Sequence, residues 1–207
     1  MKKWTRVSLA IVAILTTVGT AHADVLLGGE VGADAWFTNT KANNQDCNST
    51  VGSYYVSIEH FIPLVPNVRL SYDDLNNSVA SFNQMDYTAY YEILDNDLIS
   101  LDVGLTATKF NAGKVGNQTF NTWQPSLYAH AKVGIPFTPL SAFTTFNAGN
   151  FDSNKTFDGT LGVEYSIPFI IADANIRAGY RMMDYQFKDI SSDIKINGWF
   201  AGVSIDI

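Results

Sequence analysis

The side chains that could do chemistry in this sequence fall at every second position of otherwise apolar segments. Glu30 and Asp34 lie on the opposite parity from Val25, Leu27, Gly29, Val31, Ala33, Ala35 and Phe37. Glu59, Arg69 and Asp73, then Asp86 and Glu92, stand in the same relation to Tyr54-Val56-Ile58, Val68-Leu70-Tyr72 and Tyr87-Ala89-Tyr91-Ile93, each read at alternate positions. Asp102 opposes Ile99 to Ala107, His130 and Lys132 oppose Leu127 to Ile135, Glu164 opposes Leu161 to Ile167, and Arg177 and Arg181 oppose Ile176 to Met182. A period of two puts each set on one face of a strand, so acids and bases share a surface that the apolar residues avoid. Three kinds of chemistry suit such a set: a network of paired charges, a charged conduit that selects solutes by sign, or acid–base catalysis centred on a histidine.

The elements that must position these residues are strands. The alternation recurs in ten segments from Val25 to Ile207, including a weaker one over Leu140–Ala148 whose phase the sequence does not fix and a last one through Trp199, Ala201, Val203, Ile205 and Ile207. Connections fall into two alternating classes. Pro63–Asn67, Asp95–Asp97, Pro136–Pro139 and Pro168–Asp173 are short; Thr38–Thr50, Asp74–Gln84, Asn111–Asn121, Gly149–Asp158 and Asp184–Asp193 are longer and polar. Ile-Pro steps at Ile62-Pro63, Ile135-Pro136 and Ile167-Pro168 mark strand ends, because proline cannot donate to a ladder. Phe37, Tyr54, Tyr72, Tyr87, Phe110, Trp123, Tyr185 and Trp199 gather towards the long-loop ends as an expected aromatic girdle. The pattern predicts an all-β protein, a closed antiparallel up-and-down transmembrane β-barrel of ten strands, with eight as the alternative. A soluble ligand-binding barrel would alternate equally well, with its apolar face turned inward.

Lys2, Lys3 and Arg6 precede the apolar stretch Leu9–Leu15 and the small-x-small site Ala21-His22-Ala23, which reads as a secretory leader over 1–23 followed by a barrel domain over 24–207. The whole chain carries 13 basic and 20 acidic residues; the leader holds three of the basic ones and no acid, so 10 face 20 beyond it. That balance excludes a nucleic-acid partner, which needs clustered cations. A single cysteine, Cys47, excludes an intrachain disulfide and every zinc pattern built on two thiolates.

Gly202, Ile205 and Ile207 fit a glycine-x-x-hydrophobic-x-hydrophobic terminus that resembles the barrel-assembly signal of outer-membrane proteins, although the last residue is Ile207 rather than an aromatic and Phe200 stands where a polar residue is usual. With Asp24-Val25-Leu26-Leu27-Gly28-Gly29 after the leader and alternation to the end, the chain resembles a proteobacterial family of outer-membrane β-barrels with a Gly-Gly pair near the mature N-terminus. The resemblance implies residence in the outer membrane of a Gram-negative bacterium, contact with its lipid, and the barrel-assembly machinery and periplasmic chaperones as partners during biogenesis. It implies no catalytic residue.

Enzymes on small outer-membrane barrels, such as omptin-like proteases, lipid A deacylases and palmitoyltransferases, place a histidine near the extracellular mouth. Beyond the leader only His60 and His130 remain, the first near a short turn and the second in mid-strand. The expectation is therefore no enzyme, with no catalytic or cofactor-binding residue. The loop acids Asp46, Asp74, Asp152, Asp158, Asp184, Asp189 and Asp193 show no D-x-D-x-D-G spacing, so they are expected to be solvated charges, with no metal. Cys47 is expected to be an exposed, inert thiol. Ten strands lie near the small end of barrel sizes, where side chains fill much of the interior, which favours an internal ionic network over a solute-conducting pore. The expected role is structural or that of a small passive pore; the alternative is a scaffold whose long loops serve adhesion or recognition.

Overall fold

A computed structural model describes residues 27–62, 64–96 and 98–207; the expected leader and its cleavage point lie outside the described residues. Ten strands run in chain order: β1 (Leu27–Ala42), β2 (Gln45–His60), β3 (Asn67–Asn76), β4 (Ala80–Asp95), β5 (Ile99–Val115), β6 (Gln118–Gly134), β7 (Leu140–Phe151), β8 (Asn154–Pro168), β9 (Asp173–Gln186) and β10 (Ile194–Asp206). Each pairs antiparallel with its sequence neighbours, and β1 pairs with β10, so the sheet closes on itself. The closing ladder runs from Glu30 opposite Asp206 to Lys41 opposite Lys195, and Gly29 and Ile207 exchange both backbone hydrogen bonds, at 3.1 and 2.9 Å. Closure leaves no unpaired edge, which is how a β-sheet avoids exposing polar backbone.

The seam needs glycine. A Cβ on Gly198 would lie 1.8 Å from the carbonyl oxygen of Phe37 across the ladder, a backbone atom that cannot step aside. Gly198→Ala is expected to cost about 1–3 kcal/mol through forced separation of β1 and β10, read as a lower urea midpoint; an unchanged midpoint would show that the seam yields freely.

Parity holds along the strands except at bulges in β4 near Glu92 and in β5 between Phe110 and Gly113, where the inward set passes from even to odd positions, but polarity inverts part-way up. In the half nearer the short turns, apolar side chains point outward, as with Val203 and Leu105, 57% and 64% exposed, while charged and polar residues point in. Phe37, Tyr54, Tyr87, Trp123 and Trp199 ring the outer surface at the upper edge of this band. Above them the outward positions become polar, with Lys41, Asp74, Lys109, Lys155 and Lys195, and the inward positions become apolar, with Leu75, Phe82, Phe110, Phe120, Tyr185, Ile194 and Ile196 buried. The chain thus stacks two barrels in one wall: the lower has an apolar exterior, the opposite of the soluble alternative, and the upper has a hydrophobic interior of its own. On β7, Ser141, Phe143 and Thr145 share the inward face and Leu140, Ala142 and Phe146 the outward one, which settles the phase and the count of ten.

Two expectations are corrected here. Four of the five long loops are mostly strand, and only Asp184–Asp193 is mostly connection. Asn43-Asn44 and Asp152-Ser153 make two-residue turns with both φ values positive, between 51° and 64°, as tight hairpins require. Gly116, at φ 59°, serves the third tight turn, and the longest connection at this end is 187–193. Polar outward residues in these stretches look like loop in sequence, whereas they are the water-facing side of the upper barrel. Phe110 and Tyr185 are also not girdle residues: each is 1% exposed and packs inside, on the same parity as Asp102 and Arg181 respectively.

Candidate functional site

Four layers of side chains fill the barrel. At the top, Phe82, Phe110, Phe120, Tyr185 and Phe187 form an aromatic plug, with Phe120 and Phe187 stacked at 4.5 Å and Phe110 edge-on to Phe187 at 4.9 Å. Phe187 and Ile190 come from the 187–193 connection, which folds back over the mouth and is tied down where Ser191 donates its backbone N–H to Gln118 Oε1 at 3.0 Å. At the rim, exposed Lys188 hydrogen-bonds Asp152, which holds its ammonium pKa above the usual value. The pair is open to solvent and contributes little.

Below the plug, Arg181 on β9 makes two-pronged contacts with Asp73 on β3 (2.9 Å twice) and with Asp158 on β8 (2.9 and 2.7 Å), and reaches Ser53 at 3.0 Å. Its guanidinium lies 4.9 Å from the Trp36 ring centroid. Asp86 completes a group of three buried carboxylates whose oxygens lie within 4.8 Å of one another; it accepts from Gln84 Nε2 at 3.1 Å. Tyr185 donates to Gln84 Oε1 at 2.8 Å, joining the plug to this layer. Burying three acids around one cation is stable only where hydrogen bonds satisfy the remaining lone pairs, and these do.

In the middle, Tyr55 on β2 is the hub. Arg177 donates to its hydroxyl, the hydroxyl donates to Glu30 Oε1 at 2.6 Å, and the Arg69 guanidinium carbon lies over the ring, 3.8 Å from its centroid. Arg177 also pairs with Asp34 at 3.2 Å and lies against Phe143 and Phe200, while Arg69 reaches Glu30 at 3.9 Å. Arginine suits both tasks because its planar group stacks on rings while its edge donates.

The lowest layer lines an open vestibule of ≈ 280 Å³ at the short-turn end. Lys132 pairs with Glu164 at 2.5 Å, and His130 Nδ1 shares a 2.7 Å hydrogen bond with Thr145. Tyr90 donates to Glu59 at 2.8 Å and Asn67 to Glu92 at 2.9 Å. Asp102 also lines the space. His60 lies at the turn rim, opposite Leu27, with its Nδ1 accepting from the Ile62 N–H at 3.3 Å. Among the described residues, the two histidines are thus separated from the only convergent carboxylate group, near Arg181, and each is engaged locally.

The structure places the twelve residues expected in the lumen in separate clusters rather than one continuous network: Asp73 and Arg181 in one, Glu30, Asp34, Arg69 and Arg177 in a second, and Glu59, Glu92, Asp102, His130, Lys132 and Glu164 around the vestibule. Several that matter more were missed. Asp158, expected to be a solvated loop charge, is 6% exposed and anchors Arg181; its parity with Gly162 and Glu164 on β8 was the available signal. Tyr55 and Tyr90 were also missed, although both lie on the inward parity of their strands. Cys47 is not exposed: it lies in β2, half-buried against the hydrophobic core. At the seam, Gly202 is packed so closely on Asp34 and the Ala33 carbonyl that a Cβ would meet Asp34 Oδ1 at 1.9 Å, and Ile205 and Ile207 point outward, 48% and 43% exposed.

No model of a known protein family and no curated protein matches the sequence. Among solved structures, Neisserial surface protein A aligns over 86% of this chain and 96% of its own at 14% identity and a TM-score of 0.40. The outer membrane protease OmpT from Escherichia coli aligns over 87% and 95% at 6% identity and a TM-score of 0.43. Ail, the attachment invasion locus protein of Yersinia pestis, aligns over 87% and 98% at 8% identity and a TM-score of 0.35. No site residue is carried over from such distant likenesses; the fold stands on this chain's own closed ladder of ten strands.

Proposed function

We propose that this chain is an integral β-barrel of the Gram-negative outer membrane, exported with residues 1–23 removed, whose role is that of a non-conducting, non-enzymatic scaffold. The observation that carries the reading is the inversion of polarity at the aromatic ring. Below it the wall is apolar outside, as hydrocarbon demands, and above it the interior is apolar, as a sealed mouth in water demands. The short-turn end then faces the periplasm and the tight hairpins face outward. The Gly28-Gly29 pair and the Gly202, Ile205, Ile207 terminus meet at the β1–β10 seam, which fits a final closing step by the barrel-assembly machinery.

The reading favours a scaffold over a pore because two layers obstruct the axis, the Arg181 carboxylate cluster and the aromatic plug held by the 187–193 connection. Purified mature protein in a planar bilayer is expected to be electrically silent while migrating as a folded, heat-modifiable band and remaining in the membrane fraction after a urea wash. A steady single-channel conductance in the wild type would overturn the closed-lumen reading, and recovery in the soluble periplasmic fraction would overturn the membrane reading.

A further inference from the structure

The vestibule at the short-turn end has more acid than its own bases satisfy. Glu30 and Glu164 have cationic partners in Arg69 and Lys132. Glu59, Glu92, Asp95, Asp102 and Asp206 also line it, and among the described residues none of these five lies within 4.0 Å of a Lys, Arg or His nitrogen. Asp102 is the telling member. It is 7% exposed, it lines the cavity, and its Oδ1 is buried with no hydrogen-bond partner. A buried carboxylate oxygen left unpaired is costly, and a cationic donor entering the cavity beside it would offset that cost.

We propose that this vestibule binds a linear oligoamine, a small chain carrying two or more primary or secondary ammonium groups. A single metal ion would need carboxylate oxygens that converge on one point. Among the described residues only the Asp73, Asp86 and Asp158 group does so, with oxygens within 4.8 Å, and Arg181 already supplies its positive charge. The vestibule acids are strung along the wall instead, from the mouth at Asp95 to the depth at Asp102, which suits charges spaced along a chain. Tyr90 and Tyr128, 5.8 Å apart at their centroids, also line the cavity and offer ring surface to methylenes and ammonium groups. A volume of ≈ 280 Å³ suits a small, thin ligand rather than a folded partner. Binding requires only the folded barrel; its exposure to the periplasm rests on the outer-membrane reading, so binding is scored in detergent, apart from membrane retention.

Calorimetric titration of spermidine into the folded mature chain in zwitterionic micelles is expected to show saturable binding that butylamine and magnesium chloride, each titrated alone, do not match. Glu92→Gln combined with Asp95→Asn, at the exposed mouth where folding is insensitive to charge, is expected to weaken spermidine about tenfold. Asp102→Asn, taken only if it retains heat-modifiable migration, is expected to do the same, whereas Asp152→Asn on the opposite rim leaves affinity unchanged. No saturable spermidine binding, magnesium binding as tight as spermidine, or wild-type affinity in the mouth double variant would each overturn the proposal.

Discussion

An Arg181→Ala barrel is expected to lose about 3–5 kcal/mol of stability, because the substitution removes one partner of a buried ionic cluster and leaves the others uncompensated. Asp73 and Asp158 are 1% and 6% exposed, and each receives two hydrogen bonds from this one guanidinium. Asp86, buried beside them, has no cationic partner of its own among the described residues and depends on the same charge. The loss comes mostly from stranded carboxylates, so it is recoverable: Arg181→Met with Asp73→Asn and Asp158→Asn should restore much of the stability, since exchanging a buried ion cluster for neutral groups of similar volume is often close to neutral. Urea titration of the barrel in lipid vesicles, followed by the fluorescence of Trp36 beneath the guanidinium, measures both. A single variant within about 1 kcal/mol of wild type would show that water, rather than Arg181, satisfies those acids.

The sequence made the lower barrel almost fully legible, because one physical contrast, hydrocarbon outside against charge inside, is written at alternate positions of each strand. Val68-Leu70-Tyr72 against Arg69-Ser71-Asp73 is enough to assign both faces. The upper barrel was not legible by the same rule, since its solvent is water on the outside. There the inward residues are Phe82, Tyr185 or Ile196 and the outward ones Asn83, Asp184 or Lys195, so segments of good strand resemble polar loop. Asp158 was lost to that mistake, and Phe110 and Tyr185 were assigned to the girdle by residue type although their parity already pointed inward. Carrying the parity of each strand as far as these three positions would have recovered all of them, although on β5 it breaks at the bulge just beyond Phe110. Pairings across the lumen, such as Tyr55 with Arg177, could not be read from the chain, because residues 122 positions apart meet only after the barrel has closed.

Val103→Arg is the counterpart on the outer wall, with an expected cost of about 2–4 kcal/mol if hydrocarbon meets the wall at mid-height. On the outward face of β5 the sequence from Ile99 through Leu101, Val103, Leu105 and Ala107 carries no charge, and the first outward cation is Lys109, held over the Trp123 ring at 5.4 Å. Val103 is at the centre of that interval, cross-strand from Tyr91 and Ala129, so an arginine there is as far as possible from either polar edge. The same change at Asp74, an outward position above the girdle, should cost almost nothing, because water already bathes it. Equilibrium unfolding of both variants in lipid vesicles gives the difference directly. The comparison separates the membrane reading from simple strand damage: an arginine disturbs β-pairing equally little at either site, and only a hydrocarbon surrounding makes one of them expensive. Equal stabilities for Val103→Arg and Asp74→Arg would mean that the apolar belt is covered by something other than lipid.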